Sequence, residues 1–121
     1  MASLHQSEAL GGYIDIRNLR WSQTEKAIAR RAFEHALQPE LEEVIQETKR
    51  MAAKIEQPSD LWALEGFLTK RRNEIDRKYD YRYSVLPEVF GCLVREGRIS
   101  EEELHGLAED KLAYIRKFAK F

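Results

Sequence analysis

The residues that could bind a metal ion are few and widely spaced along this chain. The three histidines are His5, His35 and His105. Glu102 and His105 have the Glu-x-x-His spacing of di-iron helical bundles, but such a site needs a second element of this kind and further glutamates on facing helices. The sequence therefore predicts no metal site and no cofactor.

The single cysteine, Cys92, is the most obvious candidate for a nucleophile. Phe90, Leu93 and Val94 lie close to it, a setting typical of a small buried apolar side chain rather than of an activated thiolate. The isolated glycines form no phosphate-binding loop, and no pair of carboxylates has the apolar surroundings that raise a pKa. We expect a protein that is not an enzyme.

A segment from Arg71 to Leu86 combines arginines with tyrosines in an unusual pattern. Tyr79, Tyr81 and Tyr83 stand at alternate positions, with charges of both signs between them. Aromatic rings and arginines are favoured at protein interfaces, although basic residues with interleaved tyrosines can also stack on bases. Because acidic residues in the same run cancel much of the positive charge, we expect a protein partner and no nucleic acid.

Size and composition are those of one modest globular domain. The chain has 121 residues, 34% of them charged and 43% hydrophobic, and a net charge of −1. This balance gives no general attraction to nucleic acid or to an anionic membrane. No stretch reaches the roughly 18 apolar residues of a membrane span, and no signal peptide is visible. With a single cysteine, a cytoplasmic protein without membrane insertion is predicted.

Helix signals dominate the first half of the chain. Residues 1–20 contain a glycine pair and no sustained period, and they are predicted to be a flexible N-terminal arm. Ser22 and Glu25 form a capping box that starts a helix. Pro39 interrupts it, so residues 21–57 are predicted to be either one long kinked stalk helix or a pair of helices.

An apolar seam follows this stalk with spacings that alternate between four and three residues, the pattern of a coiled coil. A helix of this length spans roughly 50 Å, whereas a compact domain of this size has a radius of gyration of roughly 14 Å. We therefore predict a homodimer in which the long helices pair; the alternative is a hairpin folded back at Pro39 within a monomer. The predicted dimer seam consists of Leu37, Leu41, Val44, Met51 and Ile55, with Leu61 of the next helix.

Further helix signals complete an all-α fold. A third helix is predicted over 60–83; the tyrosines either continue it or end it, and a strand is less favoured because no partner strand is visible. Residues 86–121 are predicted to form head helices, one of which ends at Gly97. A capping box at Ser100 and Glu103 opens the last helix, whose inward residues are Leu104, Leu107, Leu112 and Ile115.

Several individual side chains allow two interpretations. Trp62 is either a core or dimer-interface residue or a partly exposed anchor for a partner. Either Arg71 or Arg72 falls near the buried stripe, where it needs a carboxylate partner. Judged by their neighbours alone, Phe90 is expected in the core and Lys111 in solvent.

Four segments together carry a resemblance to a known family. They are Trp21-Ser22-x-Thr24-Glu25-Lys26-Ala27-Ile28-Ala29, Asp60-Leu61-Trp62, Phe67-Leu68-x-x-Arg71-Arg72-x-Glu74-Ile75-Asp76-x-Lys78-Tyr79-Asp80-Tyr81-Arg82-Tyr83-Ser84-Val85-Leu86, and Leu104-x-Gly106-Leu107-x-x-Asp110-Lys111-Leu112. Over about residues 21 to 115 the chain resembles the cyanobacterial fluorescence recovery protein family. The run from Lys78 to Leu86 is the most specific part.

The resemblance implies an all-helical homodimer with an extended helical stalk and small helical heads. It implies a photoprotection regulator that binds the photoactivated orange carotenoid protein, mainly through the C-terminal domain of that protein. Members accelerate its return to the inactive orange form and its release from the phycobilisome, which restores fluorescence. Such a protein acts by binding one conformation better than another, in the cytoplasm and at the edge of the thylakoid-associated phycobilisomes.

The resemblance also implies site residues, with the family tryptophan at Trp62 and an important arginine at Arg72. Partner-binding or dimer-interface roles are expected for Trp62, Glu65, Arg72, Tyr81, Arg82, Tyr83, Phe90 and Lys111. The chain departs from the family pattern at four positions, which leaves an alternative open: a divergent homologue that acts as a dimeric interaction protein with a different partner. Those positions are Glu65, Gly66, Glu88 and Tyr114, where the pattern has a histidine, an aspartate, an aromatic residue and a lysine.

Overall fold

The structure, a computed structural model, describes residues 15–121 and is built from helices. Its four α-helices are α1 (Gln23–Ala53), α2 (Pro58–Lys78), α3 (Leu86–Arg95) and α4 (Glu109–Ala119), and two short 3-10 helices cover Ile16–Asn18 and Glu101–Leu104. No strand occurs between residues 15 and 121, and the predicted all-α class is confirmed. Most of the predicted N-terminal arm, residues 1–14, lies outside the described part of the chain.

Helix α1 begins where its capping box was predicted. The Ser22 hydroxyl accepts a hydrogen bond from the Glu25 amide at 3.1 Å, and the Ser22 amide donates to the Glu25 carboxylate at 2.9 Å. The helix runs through Pro39 without a break. The proline removes the donor that the carbonyl of His35 would use, and both residues are exposed. In the structure the chain continues as one helix past Pro39 instead of folding back there.

The chain turns at residues 54–57, and α2 returns beside α1. The Asp60 carboxylate closes the turn by accepting the amides of Glu56 and Gln57, each at 3.0 Å. Helix α2 ends at Lys78, five residues earlier than the predicted 60–83. The helix ends here because the alternating tyrosines need a different backbone. Residues two apart in a helix point in different directions, whereas in a non-helical, extended backbone they point to the same side. Tyr79, Tyr81 and Tyr83 all face α1 in this way.

A second boundary also differs from the prediction. The capping box at Ser100 and Glu103 forms, but it opens only the 3-10 helix. The chain then passes through Gly106, which has a φ of +106°, a conformation that ends a helix and favours glycine. The last helix, α4, therefore begins at Glu109 instead of at the capping box.

The core lies between the first half of α1 and the C-terminal helices. For the structure, the name head is used for residues 79–119. The name stalk is used for residues 41–74, which form the far ends of α1 and α2 and the turn between them. Helices α3 and α4 cross closely at Gly91, where a Cβ atom would lie 2.4 Å from the Cβ of Phe118. The predicted inward residues Leu104, Leu107 and Ile115 are buried, and Leu112 packs against them half-buried.

Candidate interaction surfaces

The stalk exposes large apolar side chains. Within residues 15–121, every exposed large apolar residue except Phe121 belongs to it, and Trp62 is the most open of them at 69% exposure. A cluster of this kind is typical of a protein interaction site rather than of a solvated helix. We call this patch the stalk surface; it consists of Ile45, Leu61, Trp62 and Leu68 together with Glu65 and Arg72.

One stripe of α2 organises the stalk surface. Leu61, Glu65, Leu68 and Arg72 recur at intervals of four, three and four residues, so they share one face of the helix, and all four are exposed. The Arg72 guanidinium lies 3.9 Å from the Asp76 carboxylate in an ion pair open to solvent, which holds the arginine only weakly. Three residues predicted to contact a partner or a second copy, Leu61, Glu65 and Arg72, thus share this stripe.

The predicted dimer seam on α1 divides into two parts. Leu37, Leu41 and Val44 pack against the core of their own chain. Met51 and Ile55 are half-buried, and Leu61 belongs to the exposed stripe of α2. The apolar surface that remains open is therefore shifted from α1 towards α2.

The tyrosines of the predicted recognition segment pack inward against α1. The rings of Trp21 and Tyr83 lie 5.4 Å apart, those of Tyr83 and Tyr81 5.5 Å, and those of Tyr81 and Phe33 4.8 Å. Arg30 covers the outer face of Tyr81 at 3.8 Å, a favourable cation–π contact. Burial raises the pKa of Tyr81 to about 12. The packing of these rings therefore joins the head to α1.

Arg82, which stands between two of the tyrosines, faces outward. Its side chain is exposed and bonded to the Asp80 carboxylate at 2.5 Å. The local charge cancellation predicted for this run is therefore present at this pair.

Phe90 and Lys111 offer no surface to a partner. Phe90 lies in the core, as its neighbours indicated. The expectation that Lys111 is solvated is wrong, since its side chain is 3% exposed and its ammonium lies 3.2 Å from the Glu25 carboxylate. It also donates to the backbone carbonyl of Arg20. Nothing local to either residue predicts this contact, because 86 positions separate Glu25 from Lys111.

A buried carboxylate that sequence reasoning missed connects α1 with the rest of the chain. Glu40 is 1% exposed and accepts hydrogen bonds from Lys78 at 2.7 Å and from the Tyr79 hydroxyl at 2.7 Å. Arg71 and Arg98 each lie 3.3 Å from it. Burial favours a raised pKa for Glu40, but the bonds from Lys78 and Tyr79 outweigh it and hold that pKa below its usual value. The predicted pairing of Arg71 with a carboxylate is confirmed, within one chain.

A groove of about 920 Å³ lies between the end of α2, α3 and the end of α4. Val85, Val89 and Phe118 line its apolar part, and Glu88 stands on its exposed rim. Cys92 also lines it, and burial together with a bond to Glu96 raises the pKa of its thiol, so the thiolate is disfavoured. The arrangement suits binding rather than nucleophilic attack.

The remaining positions that depart from the family pattern are dispersed. Gly66 is exposed on α2 with open space around it, and Tyr114 stacks on Phe118 with ring centres 6.5 Å apart. Within residues 15–121, no three His, Cys, Asp or Glu side chains are placed to hold a metal ion. None of the helices described is both long and apolar enough to cross a membrane.

Comparisons with known proteins agree on one family. The model of the family described as "Photoprotection regulator fluorescence recovery protein" matches residues 21–119. The fluorescence recovery protein of Synechocystis sp. (strain PCC 6803) is 43% identical over 100 residues, which cover 83% of this chain and 92% of that protein.

Solved structures of the same family share the fold. The fluorescence recovery protein of Fremyella diplosiphon is 40% identical, with a TM-score of 0.77. That of Synechocystis sp. PCC 6803 is 42% identical, also with a TM-score of 0.77. Both alignments cover 84% of this chain and 100% of the solved chain. The chain therefore belongs to the fluorescence recovery protein family of photoprotection regulators.

Proposed function

We propose that this protein binds the photoactivated orange carotenoid protein and accelerates its return to the inactive orange form. Release from the phycobilisome and recovery of fluorescence follow from that step. The protein acts as a binding partner in the cytoplasm and performs no covalent chemistry. It lowers the barrier to relaxation by binding the relaxing conformation better than the red one.

The observation that carries this proposal is the family match over almost the whole described chain. The stalk surface supports it, because Trp62 and Arg72 are both exposed there and free to meet another protein. Exposed aromatic and arginine side chains of this kind are the ones that carry much of the binding energy at protein interfaces.

The test mixes the protein with photoconverted carotenoid protein in the dark and follows the decay of red absorbance. Recovery should accelerate with increasing protein concentration. Trp62→Ala and Arg72→Ala should each reduce the acceleration, whereas Lys70→Ala, an exposed residue of the same helix off the exposed stripe, serves as the matched control. No acceleration by the wild-type protein at molar excess would reject the proposed function.

The protein is also proposed to act as a homodimer joined through the aliphatic part of the stalk surface, with Trp62 and Arg72 left for the carotenoid protein. Ile45, Leu61 and Leu68 supply the apolar area that a second copy would cover. Light scattering at micromolar concentration should give twice the mass of one chain, and Leu68→Glu should shift it toward the single-chain mass. A monomeric wild-type mass would reject the dimer without touching the recovery assay.

A second candidate function keeps the dimer and changes the partner. Glu65 and Glu88 are both exposed, and they place negative charge where the family pattern has a histidine and an aromatic residue. A partner with a basic surface would fit these positions. Pull-down from the native cell discriminates: recovery of the carotenoid protein alone supports the first function, and recovery of a different protein supports the second.

A further inference from the structure

The face of α1 that binds the head is flanked by two glutamates. Between them three alanines and Phe33 are buried, and Ile28 and Leu37 pack half-buried beside them. Small residues allow close approach, but they discriminate poorly between neighbouring positions of the head along the helix. The buried residues of α1 are Glu25, Ala29, Ala32, Phe33, Ala36 and Glu40.

Each of the two glutamates is bonded to the head. The Glu25 carboxylate accepts the Ala108 amide at 2.8 Å and lies 3.2 Å from the Lys111 ammonium. The Glu40 carboxylate accepts the Tyr79 hydroxyl at 2.7 Å and lies 3.3 Å from the Arg98 guanidinium. Both ends of the contact therefore carry a buried negative charge matched to a cation of the head.

The cations around Glu40 are themselves shared with outer carboxylates. The outer pairs are Arg71 with Glu74 at 2.7 Å, Lys78 with Glu96 at 2.8 Å and Arg98 with Glu43 at 2.6 Å. Moving the head would break the last two of these outer pairs, since each joins the head to one of the long helices.

We propose that Glu25 and Glu40 are positioning residues that fix the register of the head along α1. A shift by one helical turn, about 5.4 Å, would keep the alanine face covered but separate both buried carboxylates from their cations, which burial penalises strongly. A buried polar residue fixes register in helical assemblies for the same reason.

A fixed register holds the stalk surface and the groove of the head at one separation. A single partner can then contact both surfaces at once. Its affinity is not reduced by the cost of ordering the head into one register, because the head is already ordered. This consequence rests on the proposed function, whereas the register itself is a property of the chain alone.

The register is tested by the distance between a spin label on α1 and one on α4. Cysteines replace the exposed residues Lys49 and Ala113 in a chain carrying Cys92→Ala, and labelled protein is diluted with unlabelled chain. The wild-type background should give one narrow distance. Glu25→Gln combined with Glu40→Gln should add a second population about 5 Å away.

The matched control is Glu42→Gln, which removes an exposed carboxylate of the same helix that bonds to Gln46 of α1 at 2.8 Å. It should leave the distance unchanged. A single narrow distance in the double variant, with native helical content, overturns the inference. Should that variant not fold, Arg98→Met combined with Lys111→Met removes a head cation from each of the two glutamates while Glu40 stays bonded to Lys78. An unchanged distance in that variant overturns the inference equally.

The recovery assay decides the functional part separately. A wild-type protein that fails to accelerate recovery rejects the proposed function, and the distance result still stands. An active wild-type protein should lose activity when the head is displaced. A displaced double variant that recovers the carotenoid protein at the wild-type rate shows that register has no bearing on function.

Discussion

Replacing Lys111 by methionine tests the buried contact between the start of α1 and the start of α4. The ammonium lies 3.2 Å from the Glu25 carboxylate, and both side chains are at most 8% exposed. Removing one partner of a buried pair costs about 3–5 kcal/mol when the other charge is left uncompensated. Methionine retains most of the apolar stem, so the change reports mainly on the charge.

The structure places the expected loss below the upper end of that range. Glu25 would still accept the amide of Ser22 at 2.9 Å and that of Ala108 at 2.8 Å. The loss is then close to that of one hydrogen bond between charged groups, about 1.5–3 kcal/mol. We expect Lys111→Met to lower the free energy of unfolding by about 2–3 kcal/mol at pH 7.

Urea denaturation followed by circular dichroism measures this change. Protein concentration is held fixed, because self-association makes unfolding depend on it. Lys117→Met, an exposed lysine of the same helix, is the control and should stay within about 0.5 kcal/mol of the wild type. Combining Lys111→Met with Glu25→Gln should cost less than the sum of the two single changes, since the pair is coupled.

The pH dependence of the loss follows from Glu25. Burial favours a raised pKa, but hydrogen bonds from Ser22, Ala108 and Lys111 outweigh it and hold the pKa of Glu25 below its usual 4.5. A depressed carboxylate pKa contributes stability above the unfolded value, and this stability is lost as pH falls through the folded value. The difference between Lys111→Met and wild type should therefore shrink below about pH 4. A loss under about 1 kcal/mol at pH 7, or a difference that widens on acidification, would refute the reasoning.

Three further changes separate backbone effects from polar ones, each measured by the same denaturation. Tyr79→Phe removes the hydroxyl bonds to the Ala36 carbonyl at 3.1 Å and to Glu40 at 2.7 Å, and should cost about 1–2 kcal/mol; no change would show that water replaces them. Gly106→Ala should cost about 1–3 kcal/mol because of its φ of +106°, and a neutral result would contradict that strain. Gly66→Ala, with open space around it in α2, should instead stabilise by about 0.5–1 kcal/mol, and a loss would show that the site is covered.

Local sequence signals predicted where several helices begin and end. The capping box at Ser22 and Glu25 starts α1, and Gly97, with a φ of +75°, follows the end of α3. These signals act through bonds within a few residues, so they can be read from the sequence. A capping box also forms at Ser100, but there it opens a 3-10 helix instead of the predicted α-helix. A capping box can start either kind of helix.

The alternation of tyrosines was a clearer signal than the helical prediction allowed. Side chains alternate in direction only where the backbone is not helical, and the segment from Tyr79 to Tyr83 uses this to place three rings against α1. Its intervening charges, Asp80 and Arg82, bond to each other on the other side. No paired strand was needed to explain the pattern.

Charged residues of the core could not be predicted, because their partners lie far away in sequence. Glu40 meets Lys78 at a separation of 38 positions, and Glu25 meets Lys111 at 86. All four are glutamates or lysines, residue types that ordinarily lie on a solvated helix face. Only the fold decides which exposed-looking charges become buried pairs.

The two halves of α1 differ in the size and exposure of their apolar side chains. In the half that binds the head, the buried face is largely alanine, which admits another element of the same chain at close range. In the stalk, larger apolar residues such as Met51 are half-buried, and those of α2 are exposed. No part of residues 15–121 covers the exposed stripe of α2, whose Leu61 and Leu68 are spaced one heptad apart. A stripe of this spacing is suited to an apposed helix, which supports the proposal that a second protein chain packs on the stalk.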